Sequence, residues 1–490
     1  MTDSETVETP AWVKDAVFYQ IFPDRFALSP SISKPSNLEA WDSPPTVYGY
    51  KGGDLVGIAE HLDYLVDLGV TAIYLNPIFE SGANHRYHTN DYFHVDPILG
   101  GDDALRILLE RAHERDVKVI LDGVFNHCGR GLYQFNHLLE NRQQSPYLDW
   151  FRVTSWPLHP YVPPDEPPGY ECWWGNRELP KLITDTPAVR HFIFEVAEYW
   201  LHQGIDGWRL DVPAEIDDDD FWREFRRRVK AINPEAYIVG ELWEDSRRWL
   251  QGDQFDGVQN YLFTKAVIGF LVAGTGTFDR GTLPDNSFAT LGGLDATGFQ
   301  AAIDSLIALY HWPITEAQLN QLDSHDTARF LTMACGEEAA FRMATLLQMT
   351  YPGAPCIYYG NEIGMAGGPD PGCRGSFPWD GAHWNHDLLG YVKSLVALRH
   401  RHPVLRHGDF VSIYAQNDVY AFARRAGNDV AITAVNASRD ERSLDHLTVP
   451  DASLTGIIET LGADVPGLDA GAISGWHLPA RCGAVLLARR

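Results

Sequence analysis

Short apolar, β-rich runs alternate with segments of helical periodicity between residues 16 and 359, and this alternation constrains the fold more than any other feature of the chain. Eight runs qualify as strands: 16–22, 71–75, 118–121, 207–210, 237–240, 257–260, 319–322 and 355–358. A run that is apolar at consecutive positions is buried on both faces, as in a parallel sheet covered by helices. The intervening segments carry helix signals. Thr186-Pro187 reads as an N-cap followed by Pro at N1, with Gly204 as the stop. Asp217 to Asp220, followed by Arg226 to Lys230, places acid at a helix N-terminus and base near its C-terminus, which suits the helix dipole and needs no metal. Eight strand–helix repeats predict an α/β fold, a (β/α)8 TIM barrel.

Two regions break the rhythm. Residues 128–183 are rich in Pro, Tyr and Trp, as in Trp156-Pro157, Pro163-Pro164 and Cys172-Trp173-Trp174-Gly175, and show no clear period. A connection this long is a binding element more often than an idle loop. After residue 403 short alternating runs, such as 419–422 and 430–433, are separated by Gly, Asn and Asp turns, the pattern of an antiparallel β domain. The predicted organisation is a catalytic barrel in two parts, 1–127 and 184–402, an inserted subdomain 128–183 after the third strand, and a C-terminal β-sandwich domain 403–490.

Composition narrows the partners. A net charge of −27 argues against nucleic acid and against anionic membrane surfaces, both of which would repel the chain. The six cysteines show neither a C-x-x-C pair nor regular spacing, so zinc and a disulfide framework are not expected. Residues 1–10 are acidic and polar with no apolar leader, and no later apolar run is long enough to span a bilayer, which predicts a soluble, cytoplasmic protein. The chain has 15 Trp, flat apolar faces of the kind on which sugar rings stack, although packing into the core accounts for any single Trp about as well.

The polar residues at the strand ends carry the chemistry. Asp122, Arg209, Asp211, Glu241, His325 and Asp326 all fall at the C-terminal ends of candidate strands, the catalytic rim of a barrel. Singly, each has a bland reading: an Asx turn for Asp122, a helix cap for Asp211, an ion pair with a neighbouring Arg for Glu241. Jointly, two carboxylates in one pocket suit glycoside hydrolysis, one attacking the sugar carbon and the other protonating the leaving oxygen. Arg209, two residues before Asp211 on one strand, points to the same side and would keep Asp211 ionised. A general acid must instead keep its proton near neutral pH, the condition asked of Glu241.

The segments Asp122-Gly-Val-Phe-Asn-His127, Gly207-Trp-Arg-Leu-Asp211, Gly240-Glu-Leu-Trp243 and Asp323-Ser-His-Asp326 resemble the four signature regions of the alpha-amylase superfamily, glycoside hydrolase family 13. Within it the chain is most similar to the cyclomaltodextrinase, neopullulanase and maltogenic amylase group, through Phe18-Tyr-Gln-Ile-Phe-Pro-Asp-Arg-Phe26, Asn84-His-Arg-Tyr87 and Cys356-Ile-Tyr-Tyr-Gly360. The resemblance implies a retaining hydrolase of α-1,4-glucosidic bonds in maltooligosaccharides, cyclodextrins or pullulan, with transglycosylation in reach. An α-glucosidase or a sucrose- or trehalose-converting enzyme of the same family is the runner-up, and a silent sugar-binding relative the third reading. Asp211 would be the nucleophile, Glu241 the acid/base and Asp326 the stabiliser of the oxocarbenium-like transition state. Arg209, His127, His325, Tyr87, His85, Asp122, Glu215 and Trp243 would bind or position the sugar.

Departures from the group pattern carry their own expectations. The group's calcium site after the first strand uses clustered Asn and Asp, whereas this chain has Ala27-Leu-Ser-Pro-Ser-Ile-Ser-Lys-Pro-Ser36, so neither metal nor other cofactor is expected. Met-Pro-Lys-Leu-Asn of the group appears as Leu179-Pro-Lys-Leu-Ile183, and the Lys-His that follows the nucleophile in typical alpha-amylases is replaced by Ala214-Glu215, favouring short or cyclic maltodextrins. The first barrel strand near residue 16 leaves no room for the group's N-terminal β domain, which points to a monomer or a weak homodimer.

Overall fold

The computed structural model describes residues 7–161, 165–275, 288 and 291–490. Pro163 and Pro164 of the Pro-rich segment, and residues 1–6 of the polar N-terminal stretch, lie outside the described residues. The fold is a (β/α)8 barrel with a C-terminal antiparallel β domain. Its parallel strands are β1 (Phe18–Ile21), β2 (Ala72–Leu75), β3 (Lys118–Gly123), β4 (Gly207–Leu210), β5 (Tyr237–Gly240), β6 (Gly257–Val258), β7 (Leu319–Gln321) and β8 (Ala354–Tyr358). Each lies within a residue or two of an expected run.

The chain forms two compact units. One comprises residues 19–242 and 248–258, and its strands follow the order β6-β5-β4-β3-β2-β1. Side chains on β1, β2, β4 and β5 are buried at every position, which explains why these runs are mostly apolar and do not alternate, with Gln20 on β1 and Arg209 on β4 as buried polar exceptions. Register is tight where the chemistry sits: Asp122 on β3 is the lateral partner of Arg209 on β4, and Leu210 that of Gly240 on β5.

Helix α1 (Gly101–His113) buries Ala104, Leu105, Leu108, Leu109 and Ala112, a stripe at helical spacing, with Asp102 and Asp103 in its first turn. Helix α2 (Tyr133–Asn141) lies in the insert and was not expected. Only Phe135 and Leu138 of its nine residues are buried, too few to write a period into the sequence. Beyond it the insert runs as isolated antiparallel bridges, of which His127 with Lys181 ties its far end back to the end of β3.

Helix α3 (Pro187–His202) starts at the expected Pro, but Thr186 does not cap it through its side chain. The Thr186 hydroxyl donates to the Asp149 carbonyl at 2.6 Å, because the insert passes close enough to compete for it. Helix α4 (Asp219–Ile232) is capped as the acidic run predicts: Asp218 Oδ1 accepts from Phe221 N at 3.0 Å. Its Phe221, Trp222, Phe225 and Val229 are buried, each worth about 2 kcal/mol relative to exposure.

The other unit comprises the residues up to 18, 243–247 and those from 259 onward. It contains β7 and β8, paired in parallel with Ala354 beside Leu319. Its C-terminal sheet is formed by β9 (Val411–Gln416), β10 (Val419–Ala426), β11 (Asp429–Asn436), β12 (Gly456–Leu461) and β13 (Cys482–Arg489), in the order β9-β10-β11-β13-β12. Asn417 and Asp418, both at positive φ (52° and 58°), make the two-residue turn between β9 and β10, a conformation these side chains tolerate. Alternate residues Val419, Ala421 and Ala423 of β10 and Val430, Ile432 and Ala434 of β11 face a core shared with Leu444, Trp476 and Leu478.

Candidate active site

An acidic residue stands at the end of each of β3, β4 and β5, Asp122 just before the last residue of β3 and Asp211 and Glu241 just past β4 and β5, and backbone hydrogen bonds continue past the strand ends. Asp211 N donates to Gly123 O at 3.0 Å and Glu241 N to Leu210 O at 2.9 Å. The fully buried Arg209 is the hub. Its Nη1 donates to Asp122 Oδ1 and to Asp211 Oδ1, both at 2.9 Å, and its Nη2 lies 2.9 Å from Glu241 Oε2. Three carboxylates therefore share one guanidinium. Glu241 Oε2 also accepts from Val212 N at 3.1 Å. Val212 reaches that position at φ 36° and ψ 50°, left-handed backbone that costs a β-branched residue about 1–3 kcal/mol.

Burial dominates the electrostatics. It drives Asp211 well above the ordinary carboxylate range, with Arg209 pulling down and the Glu241 and Asp122 charges adding to the rise. Asp122 is raised by burial in the same way, against Arg209 and two tyrosine hydroxyls. Burial disfavours the Arg209 cation too, but Asp122 and Glu241 outweigh it and hold the guanidinium firmly charged.

His127, buried beside them, is pushed down to about 3 by desolvation and is neutral at any working pH. Its Nδ1 lies 3.2 Å from Asn126 Nδ2 and so accepts, which puts the proton on Nε2, 4.0 Å from Asp211 Oδ2. Trp173 from the insert lies flat on the His127 ring, with centroids 5.2 Å apart and planes at 18°, and Trp174 stacks on Trp173 at 4.8 Å and 16°. Trp174 is 76% exposed, so the stack leads from a buried imidazole to the surface.

The remaining expected residues of this unit sit nearby. Tyr87 OH donates to Asp122 Oδ2 at 2.9 Å, and His85 accepts from Tyr87 N at 3.1 Å with its ring 5.7 Å from that of Tyr87. Glu215, on a short 3-10 turn (Pro213–Glu215), pairs with Lys181 of the insert at 3.2 Å. The other unit carries His325, Asp326 and Trp243. His325 Nε2 lies 3.2 Å from Asp326 Oδ1, and Arg374 approaches that same oxygen at 3.6 Å while its Nε donates to His325 O at 2.9 Å. Trp243 stacks on Tyr261, centroids 3.7 Å apart.

Several participants were not expected from the sequence. Arg374, at the end of a 3-10 turn, carries no local signal, and Lys181 lies in the segment 179–183 matched to the group's motif but was not itself singled out. Tyr74, whose OH donates to Asp122 Oδ2 at 2.7 Å, and Asn76 just beyond it did have one: polar groups at alternate positions where an apolar strand ends.

A calcium ion, which the family resemblance raised, does not fit the segment 27–36. Lys34 Nζ lies 3.0 Å from Asp54 Oδ2 and donates to Ile98 O at 2.6 Å. Asp54 accepts besides from Ser29 N and Gly57 N, at 2.9 and 2.6 Å, and the Ser29 hydroxyl is bonded to Ser31 and Glu60. The oxygens a hard cation would require are committed to an ammonium and to amides.

The alpha-amylase catalytic domain matches this chain over residues 20–380. The chain belongs to the alpha-amylase family. Among its relatives in that family, a Bacillus cyclomaltodextrinase is 42% identical over 444 residues, 90% of this chain and 76% of that protein. Neopullulanase 2 of Thermoactinomyces vulgaris is 44% identical over 92% of this chain and 74% of that protein. The native-form structure of the Nostoc punctiforme debranching enzyme is 47% identical with a TM-score of 0.90, covering 98% of this chain and 99% of that one. The family's retaining chemistry is that of a glycosidase with two carboxyl groups close together, and here Asp211 and Glu241 each lie 2.9 Å from the Arg209 guanidinium.

Proposed function

We propose that this alpha-amylase-family protein hydrolyses α-1,4-glucosidic bonds in maltooligosaccharides, cyclodextrins or pullulan with retention of configuration, and transfers the glucosyl unit when a sugar replaces water. Asp211 attacks the anomeric carbon while Glu241 protonates the departing oxygen; Glu241 then takes a proton from the water that opens the glucosyl ester on Asp211. The family resemblance assigns Asp326 the part of steadying the positive charge on the ring. The observation that carries this reading is the sharing of Arg209 by Asp122, Asp211 and Glu241, beside a neutral His127 able to donate from Nε2 to a sugar hydroxyl. Arg209 offsets part of the cost that burial imposes on the Asp211 anion. No residue proposed here calls for a metal or cofactor.

A second reading is favoured by the Nostoc relative, which this chain covers almost completely and which is a debranching enzyme: cleavage of α-1,6 branch points at the same carboxylates. Product profiles from maltotriose, cyclodextrins, pullulan, a branched maltodextrin, starch, sucrose and trehalose separate the readings. Panose from pullulan marks α-1,4 cleavage, maltotriose α-1,6 cleavage. NMR of the first-formed sugar should show the α-anomer, and early β-anomer would exclude retention.

The protein is proposed to work in the cytoplasm as a monomer or weakly associated dimer. All six cysteines are free thiols, as a reducing compartment keeps them, and among the described residues no helix is long and apolar enough to cross a membrane.

A further inference from the structure

A polar chain spanning β1, β2 and β3 lies behind Tyr87 and Asp122. Asn76 follows β2 and, two residues after Tyr74, points to the same side. Its Nδ2 donates to the hydroxyl oxygens of Tyr74 at 3.3 Å and Tyr87 at 3.2 Å. A phenol that accepts on its oxygen must direct its single O–H elsewhere, and both phenols direct it to one atom, Asp122 Oδ2, at 2.7 and 2.9 Å. The Asn76 amide is oriented in turn, since its Oδ1 accepts from Gln20 Nε2 of β1 at 3.1 Å. Gln20, Tyr74, Asn76 and Asp122 are all buried, so water does not compete with the bonds among them, and Tyr87 is half-buried.

We infer that Asn76, with its amide orientation set by Gln20, is a positioning residue for the glycosidase reaction: it makes Tyr74 and Tyr87 paired donors to Asp122, and so holds the Tyr87 ring and the carboxylate that Arg209 shares with Asp211. Were the amide turned over, its oxygen would draw the hydroxyl protons to itself. Asp122 Oδ2 would lose both donors and its charge would rest on Arg209 alone, pulling the guanidinium away from Asp211. The polarity of one amide thus reaches the nucleophile through two phenols, a carboxylate and an arginine.

The inference rests on the glycosidase reading, and its test keeps the two apart. Rates on maltotriose are measured for the wild type, Asn76→Ala, Tyr87→Phe and the double variant, with melting temperatures as a folding control. Each single change is expected to lower kcat/KM by about tenfold or more, with part of the loss in kcat, because small misplacements of positioned groups are costly. The double variant should lose no more than the worse single one, since both changes cut the same link. Gln20→Leu removes the donor to Asn76 Oδ1 and should move kcat in the same direction, serving in its place if Asn76→Ala does not fold. Additive losses, or an Asn76→Ala variant within about twofold of wild type, would overturn the inference. An Asp211→Asn variant of undiminished rate would overturn the glycosidase reading instead.

Discussion

Arg209 and Glu241 are in contact, Nη2 to Oε2 at 2.9 Å, on the same guanidinium that binds Asp211. The carboxyl proposed to donate a proton is thus parked against a cation and against the Val212 amide. A glycosidic oxygen entering the site has to draw it away from both. Tyr87, His127 and Arg209 are held around Asp122 and Asp211 by contacts within the protein itself, which fixes polar groups in place beside the carboxylates.

Asp211→Asn and Glu241→Gln should each lower kcat by at least about 10²-fold with little change of shape, since each removes a reacting group and keeps its volume. For Glu241→Gln the loss should be smaller on an aryl glucoside, whose leaving group departs without a proton. A variant keeping more than about a tenth of wild-type kcat would refute its assigned role.

The elevated proton affinity of Asp211 has a consequence for stability. A carboxyl whose pKa in the folded protein lies above its unfolded value adds stability below that unfolded value and loses it as pH rises through the folded one. Burial puts Asp211 in this class. Asp211→Asn should therefore melt close to the wild type near pH 4 and increasingly above it towards neutrality. A wild type that gains on the variant over that range would contradict the sign.

Lys34 in place of a metal ion predicts indifference to chelation. Melting temperature and activity should be unchanged by EDTA or by added calcium, because the Lys34 ammonium already neutralises Asp54. Lys34→Met should lower the melting temperature, since removing one partner of a buried pair leaves the other unpaired. A fall in wild-type melting temperature with EDTA, reversed by calcium, would show that a metal is bound.

The ring stack from His127 through Trp173 ends on the exposed indole of Trp174, a flat apolar face on which we propose that a sugar residue stacks. Trp174→Ala should raise KM for cyclodextrin and long maltodextrins several-fold, ring stacking being worth of order 1 kcal/mol, and leave maltotriose nearly untouched. Equal effects on both substrates would assign Trp174 to packing of the insert.

Much of this protein was legible without coordinates. The eight strands of the barrel could be placed to within a residue or two, most of them because a strand buried on both faces is largely apolar at consecutive positions, a local property; the runs of β6 and β7, where Gln and Asn stand among the apolar residues, follow from their place in the alternation with helices. Asp122, Arg209, Asp211 and Glu241 stood out because an abrupt change from apolar to charged at a strand end is local too. Helix α2 left too few buried residues to write a period, and Thr186 could not announce that its hydroxyl would serve Asp149 instead of its own helix.

What the tertiary structure alone decided are the pairings. Tyr74 and Asp122 meet across 48 residues of sequence and Gln20 and Asn76 across 56. Arg209 reaches Asp122 only because β3 and β4 are in a register that sets the two side by side. Register is a property of two strands together, and the direction of a buried amide is set by whichever neighbours can donate to it or accept from it. Neither is written in any one segment, so the hub at Arg209, the link through Asn76 and the stack on His127 exist only once the strands have closed ranks.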